Sequence, residues 1–281
     1  MKIEIIENSC ILCGKCVKVC PSEIFHQEPK GIPTISNIEF CIKCGHCVAI
    51  CPSQAVNHEV FPPEKIHPID YTQWPTPEQL HSLINARRSH RNFTNAAIPE
   101  PFLSQIIDAA NRAPTSSNSQ KVYFKLITDP EQLKSISDFT IHGFKKMVKI
   151  LTFPIVKPFI KWFFPDIAKY IPSFKEMELD YLAGKDMILR GATAVLLIYT
   201  PKNHLFGAAD ANLAYQNGSL MAETLGVGNF YTGFVIKALD RDSNGKFAKS
   251  LGIKGKIHAG LAMGMPQFKY PNYVDRKEVR G

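Results

Sequence analysis

The sequence predicts an α+β chain in two parts, a small cysteine-bearing module followed by a larger layered domain on a central sheet. Three observations predict it. All eight cysteines lie between Cys10 and Cys51. A stretch rich in proline follows at 61–77, with Pro62, Pro63, Pro68, Pro75 and Pro77. Beyond it, stretches with a helical apolar period alternate with short apolar runs, the pattern of helices packed on a sheet. A chain of 281 residues has room for two domains. Its 45% hydrophobic and 21% charged residues are those of a folded globular protein.

The elements follow in order. Met1–Glu7 alternates charge with isoleucine and reads as a strand, not as an export signal. The longest apolar run, near Gly191–Thr200, is about half of what a bilayer-spanning helix needs. Both points place the protein in the cytoplasm. Residues 1–60 form the first domain, and 61–77 an extended, semi-stiff connector. Thr76 as N-cap, Pro77 in the first turn and Gln79 three residues after the cap open a helix. The second domain, 78–281, begins there. Glu100–Arg112 has a helical apolar period, and Val122–Thr128 reads as a strand. Ala192–Thr200 is a strand buried on both faces, Asp210–Leu225 a helix ending at Gly226, and Lys256–Met263 a last strand.

The cysteines carry the clearest chemistry. Cys10, Cys13, Cys16 and Cys20 precede Pro21; Cys41, Cys44, Cys47 and Cys51 precede Pro52, the same pattern displaced by 31 residues. Gly14 and Gly45 repeat with it. Such self-similarity means two copies of one structural unit. Structural zinc also accepts four thiolates, but usually from two separated pairs and not from a triplet plus Cys-Pro. A disulfide scaffold does not suit a chain without an export signal. Residues 1–58 resemble the two-cluster bacterial ferredoxins, whose run is C-x2-C-x2-C-x3-C-P. The resemblance implies two [4Fe-4S] clusters and low-potential, one-electron transfer. In that arrangement the fourth cysteine of each run ligates the other cluster. Cys10, Cys13, Cys16 and Cys51 would hold one, and Cys41, Cys44, Cys47 and Cys20 the other. His46, between two ligands, reads as a loop side chain without a redox role.

The formal charge of +8 falls to about +4 once two clusters, each about −2 with its thiolates, are counted, and lower with a bound phosphate. Nucleic-acid binding loses its only argument, which was net charge.

Two segments of the second domain point to a ligand. Arg87-Arg88-Ser89-His90-Arg91 puts three guanidinium groups and a hydroxyl within five residues, enough to grip a phosphate. Ala113-Pro114-Thr115-Ser116-Ser117-Asn118-Ser119-Gln120 is a loop of hydroxyls and amides between a helix and a strand. Further on stand Asp210-Ala211-Asn212 through Gln216, Ala222–Gly228, Tyr231-Thr232-Gly233, Gly264-Met265-Pro266 and Arg276-Lys277. In this order and spacing, residues 78–281 resemble the nitroreductase-like flavin enzymes. The resemblance implies an α/β sandwich with a central, mostly antiparallel sheet, and an FMN-binding homodimer with each flavin at the interface. It implies that Arg87, Arg88, Ser89 and Arg91 hold the phosphate and ribityl side, with Arg276 returning to the phosphate. Pro114, Ser116, Asn118 and Gln120 would lie against the isoalloxazine, and Thr232 and Gly233 would face the flavin from the other side. Where that family commonly has Gly-Thr-x-Trp, this chain has Gly228-Asn229-Phe230-Tyr231.

The expected function is therefore an FMN-dependent oxidoreductase. Its two clusters deliver electrons for two-electron reduction of a small electrophile: a nitro compound, a quinone or an activated double bond. No catalytic acid is identified. The G-x-G-x-x-G dinucleotide fingerprint fails at Gly226-Val227-Gly228, although NAD(P)H or an external donor protein remains an alternative electron source. Two rival readings are an electron-transfer adaptor serving a partner protein and a redox sensor. Residues 141–175 form a basic aromatic insert with seven lysines and one acid, Asp166. Pro154, Pro158, Pro165 and Pro172 are expected to chop it into short helices. It reads as a packed excursion, as a lid over the flavin, or as a docking surface for an acidic protein or an anionic membrane.

Overall fold

The computed structural model describes residues 1–242 and 244–278. The chain divides into two units: Met1–Pro75 with Ser116–Ser119, and Thr76–Thr115 with Gln120–Gly281.

The first unit repeats itself. Strand β1 (Ile3–Ile5), helix α1 (Lys15–Val19), strands β2 (Phe25–His26) and β3 (Thr34–Ile35), helix α2 (His46–Ala49) and strand β4 (Val56–His58) follow in order. β1 pairs antiparallel with β4, with Ile3 opposite His58, and β2 pairs with β3. Ile3, Ile24, Phe25, Val48 and Val56 form its core together with the thiols Cys16 and Cys47. So small a core leaves much of the order to whatever the cysteines bind.

The second unit opens with α3 (Pro77–Ala86). Thr76 Oγ1 accepts from Gln79 N at 3.2 Å while Gln79 Oε1 accepts from Thr76 N at 2.9 Å, the reciprocal cap that the sequence predicts. Then come α4 (Glu100–Asn111), β5 (Tyr123–Ile127), α5 (Pro130–Leu151), α6 (Val156–Phe163), α7 (Pro165–Leu182), β6 (Ala194–Thr200), α8 (Gly207–Thr224), β7 (Gly228–Tyr231), α9 (Gly233–Leu239), α10 (Lys246–Ser250) and β8 (Lys256–Gly264). The sheet runs β5-β6-β8-β7, with every neighbouring pair antiparallel.

Central strand β6 explains the layering. Val195 and Leu197 point into a core shared with α5 and α9 through Ile136, Phe144 and Val235. Ala194, Leu196 and Ile198 point into the opposite core, shared with α4 and α8 through Ile106, Ala110, Ala211 and Ala214. A strand with both faces covered reads as an unbroken apolar run, and Ala194–Ile198 is fully buried.

The insert differs from the expected string of short helices. Its first part is the second half of α5, where Ile141, Phe144 and Val148 are buried. Pro158 sits near the start of α6, where the missing N–H would be unpaired in any case. Pro172 lies inside α7, and that helix continues past it. Phe153, Phe159, Trp162, Phe163 and Tyr170 are exposed, so this segment is core at one end and bare at the other. The side chains of Lys157, Lys161 and Asp166 lie outside the described residues. Among the described residues no helix is long and apolar enough to cross a membrane.

Candidate functional site

In the first unit the backbone repeats at the cysteine spacing. Leu12 and Lys43, Gly14 and Gly45, and Glu23 and Gln54 all have positive φ, and each pair is 31 residues apart. A left-handed residue inside a turn directs successive N–H groups into one concavity, the cradle used for anions and iron–sulfur sulfides. Side chains at Leu12, Lys43, Glu23 and Gln54 accept that conformation at some strain. Gly14 and Gly45 cap α1 and α2 immediately after a cysteine, with φ of 66° and 75°. A Cβ at Gly45 would come within 3.1 Å of the Phe61 ring. His46 is exposed at the start of α2.

The thiols sort themselves into two sets. The charges that act on Cys16 are those of Cys10 and Cys51; those that act on Cys47 are Cys44, Cys41 and Cys20. The second is the crossed set that the ferredoxin resemblance implies; the first has three of its four members and lacks the exposed Cys13. Burial pushes the Cys16 thiol up and drives Cys47 to about 12, with the neighbouring thiols adding to it. Burial alone would also raise Cys51, but the Ala55 N–H at 3.2 Å and the Ser53 hydroxyl outweigh it and lower its pKa. Lys43 N donates to Cys41 Sγ at 3.4 Å. Among the described residues no three His, Cys, Asp or Glu side chains converge as around a single metal ion. A cube asks for less convergence, because each thiolate takes a different iron. Thiols grouped across the two runs, with the Lys43 and Ala55 amides turned onto sulfur, suit [4Fe-4S] clusters and not zinc.

The same unit includes Ser116–Ser119, where Ser116–Asn118 form a 3-10 turn with Ser117 at φ 49°. Asn118 Nδ2 donates to the carbonyls of Ile42 and Lys43, at 3.1 and 2.8 Å, inside the Cys41–Cys44 loop. Ser116 and Asn118, read from the sequence as flavin contacts, thus fall within the cysteine-bearing unit.

In the second unit the arginine segment is pinned by its alternate residues. His90 N donates to Asn229 O, and Thr94 N to Met265 O. Phe93 packs against Gly228 and Gly264, where a Cβ would be 3.1 and 2.8 Å from its ring. Gly228 and Gly264 therefore serve close packing. The buried His90 ring lies 3.8 Å from Glu223 Oε2 and 5.1 Å from the Tyr270 ring.

Arg91 instead lines a cavity of about 340 Å³ with Arg190, Met187, Phe230, Thr232 and Gly233. Burial, and then the charge of Arg91, hold the Arg190 guanidinium below its ordinary range. Thr232 is 2% exposed, and its Oγ1 has no hydrogen-bond partner. Two cations lining one space fit a group that is anionic, as FMN is. Arg190 was not evident from sequence; its only signal was a lone arginine before Gly191, ahead of the buried strand.

The structure joins Arg91, Thr232 and Gly233 in that cavity and leaves the other expected contacts dispersed. Arg88 Nη2 donates to Val274 O at 3.4 Å, two residues before Arg276. Arg87 caps the end of α3 and acts electrostatically on the Tyr215 hydroxyl. Gln120 N donates to Thr115 Oγ1, beside Pro114. A wider cavity of about 800 Å³, lined by Asn95, Ile98, Tyr181, Asp186 and Thr193, includes none of the residues expected to hold flavin.

Comparison with known proteins agrees with both halves. Residues 2–52 match the 4Fe-4S dicluster domain, and residues 84–265 match the Nitroreductase family. A curated relative, FMN reductase [NAD(P)H] of Bacillus subtilis (strain 168), is 28% identical over 158 residues, 56% of this chain and 55% of its own length. The match thus spans about half of that relative. A nitroreductase with bound FMN from Desulfitobacterium hafniense DCB-2 is 17% identical, with a TM-score of 0.53 over 71% of this chain and 97% of its own. An FMN-dependent nitroreductase from Clostridium difficile R20291 is 21% identical, with a TM-score of 0.51 over 72% and 99%. At such identities the solved structures speak for the fold. The family match covers well over half of the sequence, so the chain belongs to the Nitroreductase family and carries a 4Fe-4S dicluster domain in residues 2–52.

Proposed function

We propose that this protein reduces a small electrophile, a nitro compound, a quinone or an activated double bond, with electrons drawn from its own iron–sulfur module. When bound, the clusters supply one-electron transfer and FMN its conversion into two-electron chemistry. The chain's part is to hold and tune them. The eight cysteines, Cys10 to Cys51, would hold two clusters in the crossed sets. Arg91 and Arg190 would meet the negative charge and acceptor atoms of FMN, Thr232 and Gly233 would line its other side, and Arg87, Arg88, Ser89 and Arg276 would secure the phosphate side. Pro114 and Gln120 complete the proposed contacts. The observation that carries the reading is the cavity lined by both Arg91 and Arg190, with Thr232 and Gly233 on the same wall. A homodimer in the cytoplasm belongs to the same proposal.

A second reading, an adaptor that passes electrons to a protein partner, draws support from the exposed aromatic residues Trp162 and Phe163 beside a lysine-rich segment. NAD(P)H is the alternative donor, as the name of the Bacillus subtilis relative suggests.

The test is an anaerobic titration of protein reconstituted with iron, sulfide and FMN. About eight irons and one FMN per chain, with electrons equilibrating between them, support the proposal. Four or fewer irons, or no flavin, refute it. Saturable reduction of small acceptors separates the enzyme from the adaptor.

A further inference from the structure

The repeat extends beyond the cysteines, and it breaks at one informative place. Residue 58 follows residue 27 by the same 31 positions that separate the two cysteine runs. Gln27 spends its amide Nε2 on backbone, donating to Leu12 O at 3.2 Å and Gly31 O at 2.8 Å. His58 faces sulfur instead: its Nε2 lies 3.8 Å from Cys41 Sγ.

The other ring nitrogen fixes the proton. Val60 N lies 3.1 Å from His58 Nδ1, and a backbone N–H can only donate. Nδ1 is therefore the acceptor, the ring is neutral, and its one proton sits on Nε2, directed at the thiolate. The ring is held in that pose. His58 is 1% exposed, pairs with Ile3 across the β1–β4 ladder, and lies 4.9 Å from the Phe61 ring, which itself packs on Gly45.

We infer that His58 is a positioning residue that acts through Cys41: its Nε2–H donates to the ligand thiolate and raises the reduction potential of the second run's cluster. The inference rests on the cluster reading above. Reduction adds one electron, and the extra negative charge spreads onto the ligand sulfurs. A fixed donor stabilises that reduced form more than the oxidised one, and hydrogen bonds to sulfur are among the recognised determinants of cluster potential. In the first run Gln27 makes no such bond, so the residues at this position distinguish the two clusters.

The experiment is a potentiometric titration of the reconstituted full chain, followed by electron paramagnetic resonance, on wild type, His58→Leu, His58→Gln and Gln27→Leu. Iron and sulfide counts come first. Wild type that takes up no clusters defeats the cluster reading itself. With clusters present, His58→Leu should lower one midpoint, cutting the reduced-to-oxidised ratio at a fixed potential by about fivefold or more. His58→Gln, which keeps an N–H donor, should recover most of it, and Gln27→Leu should leave that midpoint in place. Unchanged midpoints in His58→Leu overturn the inference, and so do shifts in both clusters, or equal shifts in Leu and Gln. If His58→Leu fails to assemble, electron–nuclear double resonance on wild type decides. An exchangeable proton coupled to the reduced cluster, with a nitrogen coupling that responds to labelled histidine, supports the bond; lack of either overturns it.

Discussion

Arg91 and Arg190, separated by about a hundred residues of chain, bring two guanidinium groups to one cavity wall, and the charge of Arg91 lowers the pKa of Arg190. Mutual repulsion of this kind is a cost in the empty protein that an anionic ligand removes. Arg190→Gln should therefore weaken FMN binding about tenfold, with Arg190→Lys recovering part of it. Flavin fluorescence titration at low and high salt measures both. Equal affinity in all three proteins would place Arg190 outside the flavin site.

Thr232 offers a prediction for the flavin-free chain. Its buried hydroxyl has no partner, so Thr232→Val removes a desolvated polar group. The flavin-free variant should be more stable by about 1 kcal/mol. Thermal melts without FMN test it; destabilisation argues against an orphan hydroxyl.

The two repeat glycines should differ in tolerance. A Cβ on Gly45 meets the Phe61 ring at 3.1 Å, with φ at 75°. At Gly14 it meets the carboxamide oxygen of Gln27 at 2.7 Å, a side-chain end that can turn away at the cost of its two backbone hydrogen bonds, whereas the Phe61 ring has no such freedom. Both alanine variants cost about 1–2 kcal/mol through the left-handed backbone, and Gly45→Ala costs more. Iron retention per chain should follow that order, with Phe61→Leu relieving part of the Gly45→Ala defect. A Gly14→Ala defect as severe as that of Gly45→Ala would contradict this packing argument.

His258 links stability to pH. Burial, and then Lys256, hold its imidazole below its ordinary 6.5, while Thr200 Oγ1 lies 3.1 Å from Nε2. Asp240 acts against the shift and His204 with it. The unfolded chain takes up this proton near 6.5 and the folded chain only at lower pH. Stability therefore falls as pH drops below about 6.5, and levels off once the folded form is also protonated. Between about pH 7.5 and 5.5 the wild-type melting temperature should drop about 2 °C more than that of His258→Gln. Parallel melting curves would remove His258 from the account.

Period and spacing made the framework legible. The unbroken apolar run at Ala194–Ile198 declares a strand covered on both sides, and Thr76-Pro77-x-Gln79 spells out its own cap. The cysteine repeat declared two copies, and the thiols that act on Cys16 and Cys47 follow the crossed sets. What stayed hidden was long-range in sequence. Arg190 carries no motif, and it joins Arg91 only because β6 and its neighbours fold the chain back. His58 stands 31 residues after Gln27, a different residue type, so the repeat of letters stops short of it although the strand position repeats. Pro172 misled because local propensity forbids a helix that tertiary packing can still sustain.

Asn118 has a consequence for the order of events during synthesis. Its carboxamide fastens the Cys41–Cys44 loop, yet it is encoded far downstream of the last cysteine. A nascent chain that has emerged only as far as Pro75 has all eight thiols but lacks Ser116–Ser119, four residues of the same unit. The cysteine module is thus finished late, after α3 and α4 have been made, and iron delivered to it earlier would meet a loop without its fastening.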